Sequence, residues 1–289
     1  MSPKIDKARR NFLAMQTTLL CPHCRAELHP EGNCFRCAAG HCYDLSARNY
    51  LNLAPAQKQT GQKYNKELFA ARRRVFEAGF YQPLMDAISD ICLNCTASAP
   101  LTLLDAGCGE GWFAGELQRR LDAADRRPEI LAVDLAKDGV EMAAASAPQL
   151  KCLVADLARL PLPDASLNII LNILSPANYS EFRRVLMPGG LLLKVIPGED
   201  YLQQVRQTLG IAPGHTSDAA ALLTEAAADV TQTRLRYTMP VSRGQAADFL
   251  LMSPLSFGHS SQGGEIVPEF GEITIDLLLL TAVFNDSTD

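Results

Sequence analysis

From residue 101 onward, short apolar runs alternate with amphipathic segments. The apolar runs cover residues 101–106, 130–134, 151–155, 167–174 and 191–196, and a helical pattern or a turn separates each run from the next. Such alternation is typical of βαβ units, in which helices cover both faces of a parallel sheet. Farther along, we expect a helix after residue 201, a strand near 231–239, a helix near 245–252 and a strand at 272–284. The two late strands fit a closing antiparallel pair.

The first hundred residues follow other patterns. Residues 21–53 lack long apolar runs and are rich in Cys, Gly and Asn, which predicts a small unit held together by metal. Apolar residues at helical spacing predict helices over 64–91, divided near Gly79 and Pro83. Residues 92–100 read as a linker. The sequence thus predicts a small metal-held module at 1–60, a helical connector at 61–100 and an α/β domain at 101–289.

Composition supports a folded, cytoplasmic protein. The chain has 289 residues, of which 47% are hydrophobic, enough for a full core. No run of eighteen apolar residues occurs and residues 1–10 are polar, so neither a membrane span nor a signal peptide is expected. The cytosol keeps thiols reduced, and nine cysteines therefore need an explanation other than disulfides.

Charge is divided unevenly along the chain, whose net charge is −5. Residues 1–80 carry 13 Lys and Arg against 6 Asp and Glu, whereas residues 81–289 carry 14 against 26. A basic head on an acidic body favours a polyanionic partner such as RNA. The alternative is a chance excess of arginine on a solvated helix.

A glycine-rich loop at residues 103–113 marks a nucleotide-like cofactor site. The first strand ends at Asp105, Gly107, Gly109 and Gly111 follow at alternate positions, and a helix is predicted to begin near Trp112. Glycine lets the backbone turn sharply and approach a ligand closely. Dinucleotide-binding folds use a similar loop, but their third glycine comes one residue later.

Three carboxylates favour S-adenosylmethionine as the ligand of this loop. Asp105 suits a cationic ammonium or sulfonium group, and Asp134, at the end of the second strand, suits ribose hydroxyls. Asp156 and Leu157 follow the third strand and suit the edge and face of adenine, although an Asp there is also a common helix cap. A class I methyltransferase fold follows from this set.

Clustered cysteines predict one structural zinc ion. Cys21 and Cys24, followed by Cys37 and His41, have the spacing of a structural zinc site. A rival set replaces His41 with Cys34, giving two Cys-x-x-Cys pairs. Spacing alone does not choose between the two sets.

Several segments together resemble the RlmA/RrmA-type 23S rRNA (guanine-N1)-methyltransferases over nearly the whole chain. The resemblance is greatest to the Gram-positive branch, which is linked to resistance against tylosin and related macrolides. The segments that carry it are 21–24, 37–45, 49–55, 65–67, 71–74, 77–84, 105–111, 156–161, 175–179 and 194–198. A zinc head joined to the Ala-Gly-x-Tyr-Gln-Pro stretch at 78–83 is much more specific than the glycine-rich loop alone.

The resemblance implies a fold, two ligands and a substrate. It implies a mainly parallel seven-stranded sheet, S-adenosylmethionine, and one zinc on Cys21, Cys24, Cys37 and His41, with Cys34 uninvolved. It also places Tyr81, Gly109, Glu110 and Tyr201 at the cofactor, although relatives have His where this chain has Tyr201. The implied partners are a hairpin in domain II of 23S rRNA and a second copy of the chain, with no membrane.

Transfer to guanine N1 also requires removal of the N1 proton. The loop after the fourth strand offers Asn172, Ser175, Asn178 and Tyr179, and none of these is a convincing base, so the sequence names no catalytic residue. An extruded guanine needs stacking partners, for which the candidates are Tyr81, Trp112, Tyr179 and Phe257. Arg72, Arg73 and Arg74 are the predicted phosphate contacts.

Two other functions fit parts of the sequence. A small-molecule methyltransferase would leave the basic zinc head unexplained. A protein that binds RNA or cofactor without catalysis would keep the fold but show no turnover.

Overall fold

The structure, a computed structural model, describes residues 3–55, 64–95, 101–212, 218–257 and 270–284. Its N-terminal part begins with helix α1 (Pro3–Leu13). A four-stranded antiparallel sheet follows, in the order β1-β2-β3-β4, made of Leu19–Leu20, Glu27–Glu31, Cys34–Arg36 and Cys42–Asp44. We call residues 19–45 the zinc module.

A second sheet of eight strands forms the centre of the protein, in the order β11-β12-β10-β9-β6-β7-β8-β5. Its strands in chain order are β5 (Tyr50–Asn52), β6 (Thr102–Ala106), β7 (Glu129–Asp134), β8 (Lys151–Val154), β9 (Leu167–Ile173), β10 (Leu186–Pro197), β11 (Asp229–Pro240) and β12 (Glu272–Val283). Every neighbouring pair from β5 to β10 is parallel, while β12 runs antiparallel to both β10 and β11. The predicted α/β class and the closing antiparallel pair are confirmed.

Helices connect these strands. They are α2 (Lys66–Glu77), α3 (Gln82–Asn94), α4 (Trp112–Ala123), α5 (Lys137–Ser146), α6 (Tyr179–Val185), α7 (Gln203–Thr208), α8 (Ala219–Ala226) and α9 (Arg243–Met252). Helix α2 begins where Asn65 Oδ1 accepts a hydrogen bond from the Leu68 amide at 2.9 Å. Gly79 has a φ of 85° and Pro83 lies in the first turn of α3, so the predicted division into two helices is confirmed.

Alternating side chains of the sheet build a separate core on each face. In β10, Leu193 and Val195 belong to one core, whereas Leu192 and Ile196 belong to the other. The first core packs against helices α2, α3, α4, α5, α7 and α9. The second packs against α6, α8, α1 and the zinc module. The zinc module thus covers sheet surface that a helix would otherwise have to bury.

One strand of the central sheet was not predicted. Seven strands were expected, and all seven are present, but β5 adds an eighth by pairing Tyr50 with Cys152 and Asn52 with Val154. A three-residue strand shows no hydrophobic period of its own, and its partner lies a hundred residues later in the chain.

The expected linker at 92–100 is partly wrong. Helix α3 continues through Asn94, with Cys92 buried in the first core, and residues 96–100 lie outside the described residues. Both predicted domain boundaries fall beside undescribed segments, so the division at 60 and 100 stays a prediction. Among the described residues, no helix is long and apolar enough to cross a bilayer.

Candidate cofactor and metal sites

A cavity of about 890 Å³ opens at the carboxyl ends of the parallel strands. Ligands of open α/β sheets bind at this edge, and the volume is in the range of ligand pockets. Seven of the residues predicted to bind cofactor line it: Asp105, Gly107, Glu110, Asp134, Asp156, Leu157 and Tyr201. The structure therefore brings most of the predicted site together.

Three carboxylates make the cofactor side of the cavity suitable for a cation. Asp105 and Glu110 are only 2% and 1% exposed. Burial, reinforced by Asp134 and Glu110, raises the pKa of Asp105 to about 8, and burial raises the pKa of Glu110 to about 7. Glu110 Oε2 is buried without a hydrogen-bond partner in the described part of the chain. A bound cation would reduce the repulsion among the three carboxylates and give Glu110 Oε2 a partner. S-adenosylmethionine carries positive ammonium and sulfonium groups.

The glycine-rich loop is folded tightly against its neighbours. Gly107 has a φ of 87°, and a Cβ there would lie 2.0 Å from Ser175 Oγ. Gly109 and Gly111 do not line the cavity. A Cβ on Gly109 would lie 3.3 Å from the Phe69 ring of α2, and one on Gly111 would lie 2.5 Å from Ala143 of α5. These two glycines serve packing of the loop, whereas a side chain at Gly107 would meet the loop after β9.

Asp134 fixes the same loop from the next strand. Its Oδ2 accepts a hydrogen bond from the Gly109 amide and its Oδ1 one from the Ala136 amide, both at 2.8 Å. Each carboxylate oxygen has a second lone pair, so these bonds leave room for ribose hydroxyls. Asp156 similarly accepts a bond from the Ala158 amide at 2.9 Å, but the residues that follow form a turn and not a helix, so the helix-cap alternative is wrong.

Tyr81 and Tyr201 share a hydrogen bond between their hydroxyl oxygens, 2.6 Å apart. Tyr81 is fully buried against Phe76 and does not line the cavity, whereas Tyr201 does. The contact shows how tyrosine fits at position 201, where the resemblance led us to expect histidine. It also makes Tyr81 a support for Tyr201.

The three predicted phosphate contacts have partners within the protein. Arg72 lines the cavity and donates to the Met252 carbonyl at 3.3 Å. Arg73 donates to the Glu110 carbonyl at 2.5 Å, and Arg74 donates to both carboxylate oxygens of Asp248. These contacts favour a role in holding α2 against the cofactor loop and α9. Contact with phosphate stays a prediction.

The acceptor loop, residues 174–178 after β9, is held by two buried polar residues. Asn172 is fully buried, and its Nδ2 donates to the carbonyls of Ala106 and Pro176 at 2.7 and 3.1 Å. Lys194 of β10 donates from Nζ to Asn172 Oδ1 at 2.5 Å and to the Ser175 carbonyl. Asn172 is thus committed to the backbone and does not line the cavity. Lys194 does line it, and sequence reasoning missed it.

Aromatic residues differ in their access to the cavity. Tyr179 lines it and donates its hydroxyl to the Ala219 carbonyl at 3.0 Å, whereas Trp112 packs against Phe76. Tyr64, which the sequence reading did not single out, also lines the cavity and is 39% exposed. Its ring centroid lies 5.5 Å from that of Phe257. Tyr64 and Tyr179 are therefore better placed than Tyr81 or Trp112 to stack on a base.

Four ligands of the zinc module converge as the resemblance implied. The side-chain ligand atoms of Cys21, Cys24, Cys37 and His41 all lie within 4.8 Å of one another. Cys24 Sγ is 3.6 Å from Cys37 Sγ, and His41 Nδ1 is 3.3 Å from Cys37 Sγ and 3.6 Å from Cys21 Sγ. Zn–S bonds of about 2.3 Å at tetrahedral angles give S···S edges of about 3.8 Å, so the set fits zinc. The Tyr43 hydroxyl lies 3.3 Å from Cys21 Sγ as an outer contact.

Cys34 lies outside this tetrad. Its Sγ donates to the Glu31 carbonyl at 3.2 Å. The rival set of four cysteines is therefore not the one that the fold assembles.

An arginine connects the two sites. Arg25, directly after the ligand Cys24, donates to the carbonyls of Leu160 and Leu162 at 2.7 and 3.1 Å. The Leu20 amide also donates to the Pro161 carbonyl at 2.9 Å. Residues 160–162 continue the loop that places Asp156 and Leu157 in the cavity. The turn that zinc holds thus supports the predicted adenine side of the cofactor site.

Comparison with known families matches both parts of the chain. A model described as a methyltransferase domain matches residues 103–190. A zinc-ribbon model described as the N-terminal part of RlmA matches residues 19–62.

Three relatives match over most of their length. Bacillus subtilis YxjB, named provisionally as a 23S rRNA (guanine-N1)-methyltransferase, is 36% identical over 90% of this chain and 95% of its own. A 23S rRNA (guanine(748)-N1)-methyltransferase of Streptomyces fradiae is 31% identical over 83% of this chain and 85% of its own. A Micromonospora griseorubida protein, also provisionally named a 23S rRNA (guanine-N1)-methyltransferase, is 30% identical over 82% and 85%.

Metal analysis tests the zinc ligands. Cys37→Ser removes one of four ligands, so we expect it to lose zinc and unfold the module, as should His41→Ala. Cys34→Ser, a matched change in the same module, should retain one zinc per chain. Zinc lost from Cys34→Ser but retained by His41→Ala would contradict the assignment.

Cofactor affinity tests the connection through Arg25. We expect Arg25→Ala to keep its zinc but to bind S-adenosylmethionine about 5- to 30-fold more weakly, a coupling of about 1–2 kcal/mol. Arg184 donates to the same two carbonyls, so the loss should not be complete. Calorimetry on Arg25→Ala and on the control Arg36→Ala, whose partners lie within the module, measures the difference. Equal affinity in both variants would show that the module does not support the site.

Proposed function

The chain belongs to the family of 23S rRNA (guanine-N1)-methyltransferases, and on that premise we propose that it methylates N1 of one guanine in a hairpin of 23S rRNA domain II. It is an S-adenosylmethionine-dependent methyltransferase with a structural zinc site. The observation that carries the proposal is the joining of a zinc tetrad and a carboxylate-lined cavity in one chain.

Different residues of the cavity would bind the cofactor and the guanine. Asp105 and Glu110 would hold the positive end of S-adenosylmethionine, Asp134 its ribose, and Asp156 with Leu157 its adenine. When bound, the cofactor supplies a methyl group already activated for transfer. The chain itself must orient the guanine, exclude water and remove the N1 proton. The acceptor loop borders the same cavity and is the place for the guanine.

RNA would approach over the N-terminal part. Lys4, Lys7 and Arg10 recur every third residue on α1 and are all exposed. Helix α1 packs on the zinc module, with the rings of Phe12 and Phe35 6.0 Å apart. Within the described part of the chain these three residues have no hydrogen-bond or ion-pair partner, whereas Arg72, Arg73 and Arg74 each have one. A homodimer, which the resemblance suggests, and a cytoplasmic location, which the composition suggests, belong to the same proposal.

A methylation assay tests the substrate. With radiolabelled S-adenosylmethionine, the protein should methylate a 23S rRNA domain II transcript and leave small acceptors unmodified. N1-methylation blocks the pairing edge of guanine, so reverse transcription should stop beside the modified base. The Streptomyces fradiae relative is named for guanine 748, which makes that position the first to examine. The control is a transcript in which the guanine identified by this stop is replaced by adenine. Methylation of that transcript at the same position would contradict the proposal.

RNA affinity at several salt concentrations tests the basic head. Each phosphate contact contributes about 0.7–0.9 to the slope of log affinity against log salt. Changing Lys4, Lys7 and Arg10 together to Gln should therefore weaken binding and flatten the slope by about two units. Cofactor affinity should stay constant. The triple Gln variant of Arg72, Arg73 and Arg74 should instead weaken cofactor binding, because Arg73 holds the cofactor loop. An unchanged slope in the α1 variant would exclude that helix as the RNA contact.

A further inference from the structure

The reaction needs a group that takes the N1 proton, and Lys194 is placed for it. Lys194 is the one charged residue in the apolar run 191–196 and is only 3% exposed. It lies at the carboxyl end of β10 and pairs in register with Asn172 of β9. A buried lysine here is costly and has no acidic partner among the described residues, so packing alone does not explain it.

Two hydrogen-bond acceptors determine which position around the Lys194 nitrogen is left to accept a proton. Nζ donates to Asn172 Oδ1 and to the Ser175 carbonyl. With Cε, these occupy three of the four tetrahedral positions around the nitrogen. A neutral amine has two N–H groups and one lone pair. Both N–H groups would stay bonded, and the lone pair would take the fourth position.

Lys194 lies on the acceptor side of the cavity. Asp105 and Asp134 lie at the ends of β6 and β7, and Glu110 in the loop after β6, where the cofactor is expected, whereas Lys194 contacts the loop after β9. Tyr179, also on this side, already donates its hydroxyl to a backbone carbonyl. We propose that Lys194 is the catalytic residue that accepts the N1 proton of the guanine; this rests on the proposed function.

Burial, and not a neighbouring charge, lowers the pKa of Lys194 to about 8. The other ionisable groups lining the cavity are Tyr64, Arg72, Asp105, Cys108, Glu110, Asp134, Asp156, Tyr179, Tyr201 and Arg206. A lysine with a pKa near 8 has a useful neutral fraction at physiological pH, whereas an ordinary lysine at about 10.4 has almost none.

The step balances because N1 loses one proton and gains one methyl group. The N1–H bond breaks and its proton moves to Nζ of neutral Lys194. The N1 electron pair forms a bond to the methyl carbon as the carbon–sulfur bond breaks, and that bonding pair stays on sulfur. The products are N1-methylguanine, S-adenosylhomocysteine and a Lys194 ammonium, which then gives its proton to water. No oxidant or further reactant is needed.

Titration of the cofactor-free chain is the first test. The sequence has eight lysines, so NMR of protein labelled at lysine side chains should resolve each one. The Lys194 signal is assigned by its loss in Lys194→Met. A midpoint near pH 8 is expected, and a midpoint at the ordinary lysine value of about 10.4 would overturn the proposal.

Single-turnover methylation of the rRNA transcript is the second test. Lys194→Met should slow transfer about 10²- to 10⁴-fold, the usual contribution of a general base, while cofactor affinity changes little. Lys194→Arg keeps the hydrogen-bond donors but stays protonated, so it should be equally slow. The control is Lys151→Met, since Lys151 is also buried but bonds to Asn11 away from the cavity. A Lys194→Arg enzyme within a few-fold of wild type would overturn the proposal, even if Lys194→Met does not fold.

Rescue by small amines separates a base from a residue that only positions the loop. Ethylamine and less basic analogues should restore transfer in Lys194→Ala, with rates that increase with amine basicity. Wild-type rates should rise with pH through about 8, because the neutral amine is the active form. Rescue that does not depend on amine basicity would assign Lys194 a positioning role and overturn the proposal. A wild-type enzyme that leaves rRNA unmethylated would instead refute the proposed function, whatever the titration shows.

Discussion

A mostly parallel sheet must be buried on both faces, and the rest of this structure depends on how the chain meets that requirement. Helices cover one face, while α6, α8, α1 and the zinc module share the other. The module has too few apolar residues to fold alone, so zinc and the sheet must hold it together. Metal binding, core formation and placement of the site are therefore linked in one packing arrangement.

The consequences reach the carboxyl edge of the sheet. Arg25 fixes residues 160–162 and so supports the loop that carries Asp156. On the other side of the cavity, Asn172 joins the end of β6 to the acceptor loop, and Lys194 holds Asn172. Both loops are set by buried polar contacts, which are strong only when every partner is present. The geometry for methyl transfer thus depends in part on two residues, Arg25 and Asn172, that need not touch either substrate.

Much of the fold followed from the sequence because its signals are local. Five apolar runs and two later strand patterns predicted the seven central strands, and the three glycines with Asp105, Asp134 and Asp156 located the cofactor side. Strand β10 begins earlier than predicted, at Leu186, because an irregularity between Leu186 and Leu191 breaks its pattern. Strand β5 was missed because a strand of three residues has no period to detect.

The residues that were missed depend on contacts distant in sequence. Arg25 reads as an ordinary basic residue until its carbonyl partners, about 135 positions away, are known. Arg72, Arg73 and Arg74 read as an exposed basic run, whereas the fold gives each a partner. Lys194 did leave a signal, since a single charge inside an apolar strand is unusual. Only the fold shows that its amine lies on the acceptor loop beside the cavity.

Mass spectrometry of ribosomal RNA tests the central claim most directly. 23S rRNA from cells that carry this gene and from a deletion strain would be digested and compared for N1-methylguanine. We predict one N1-methylguanine in the first RNA, its absence from the deletion strain, and its return when the wild-type gene is restored. An identical N1-methylguanine content in both strains would contradict the account.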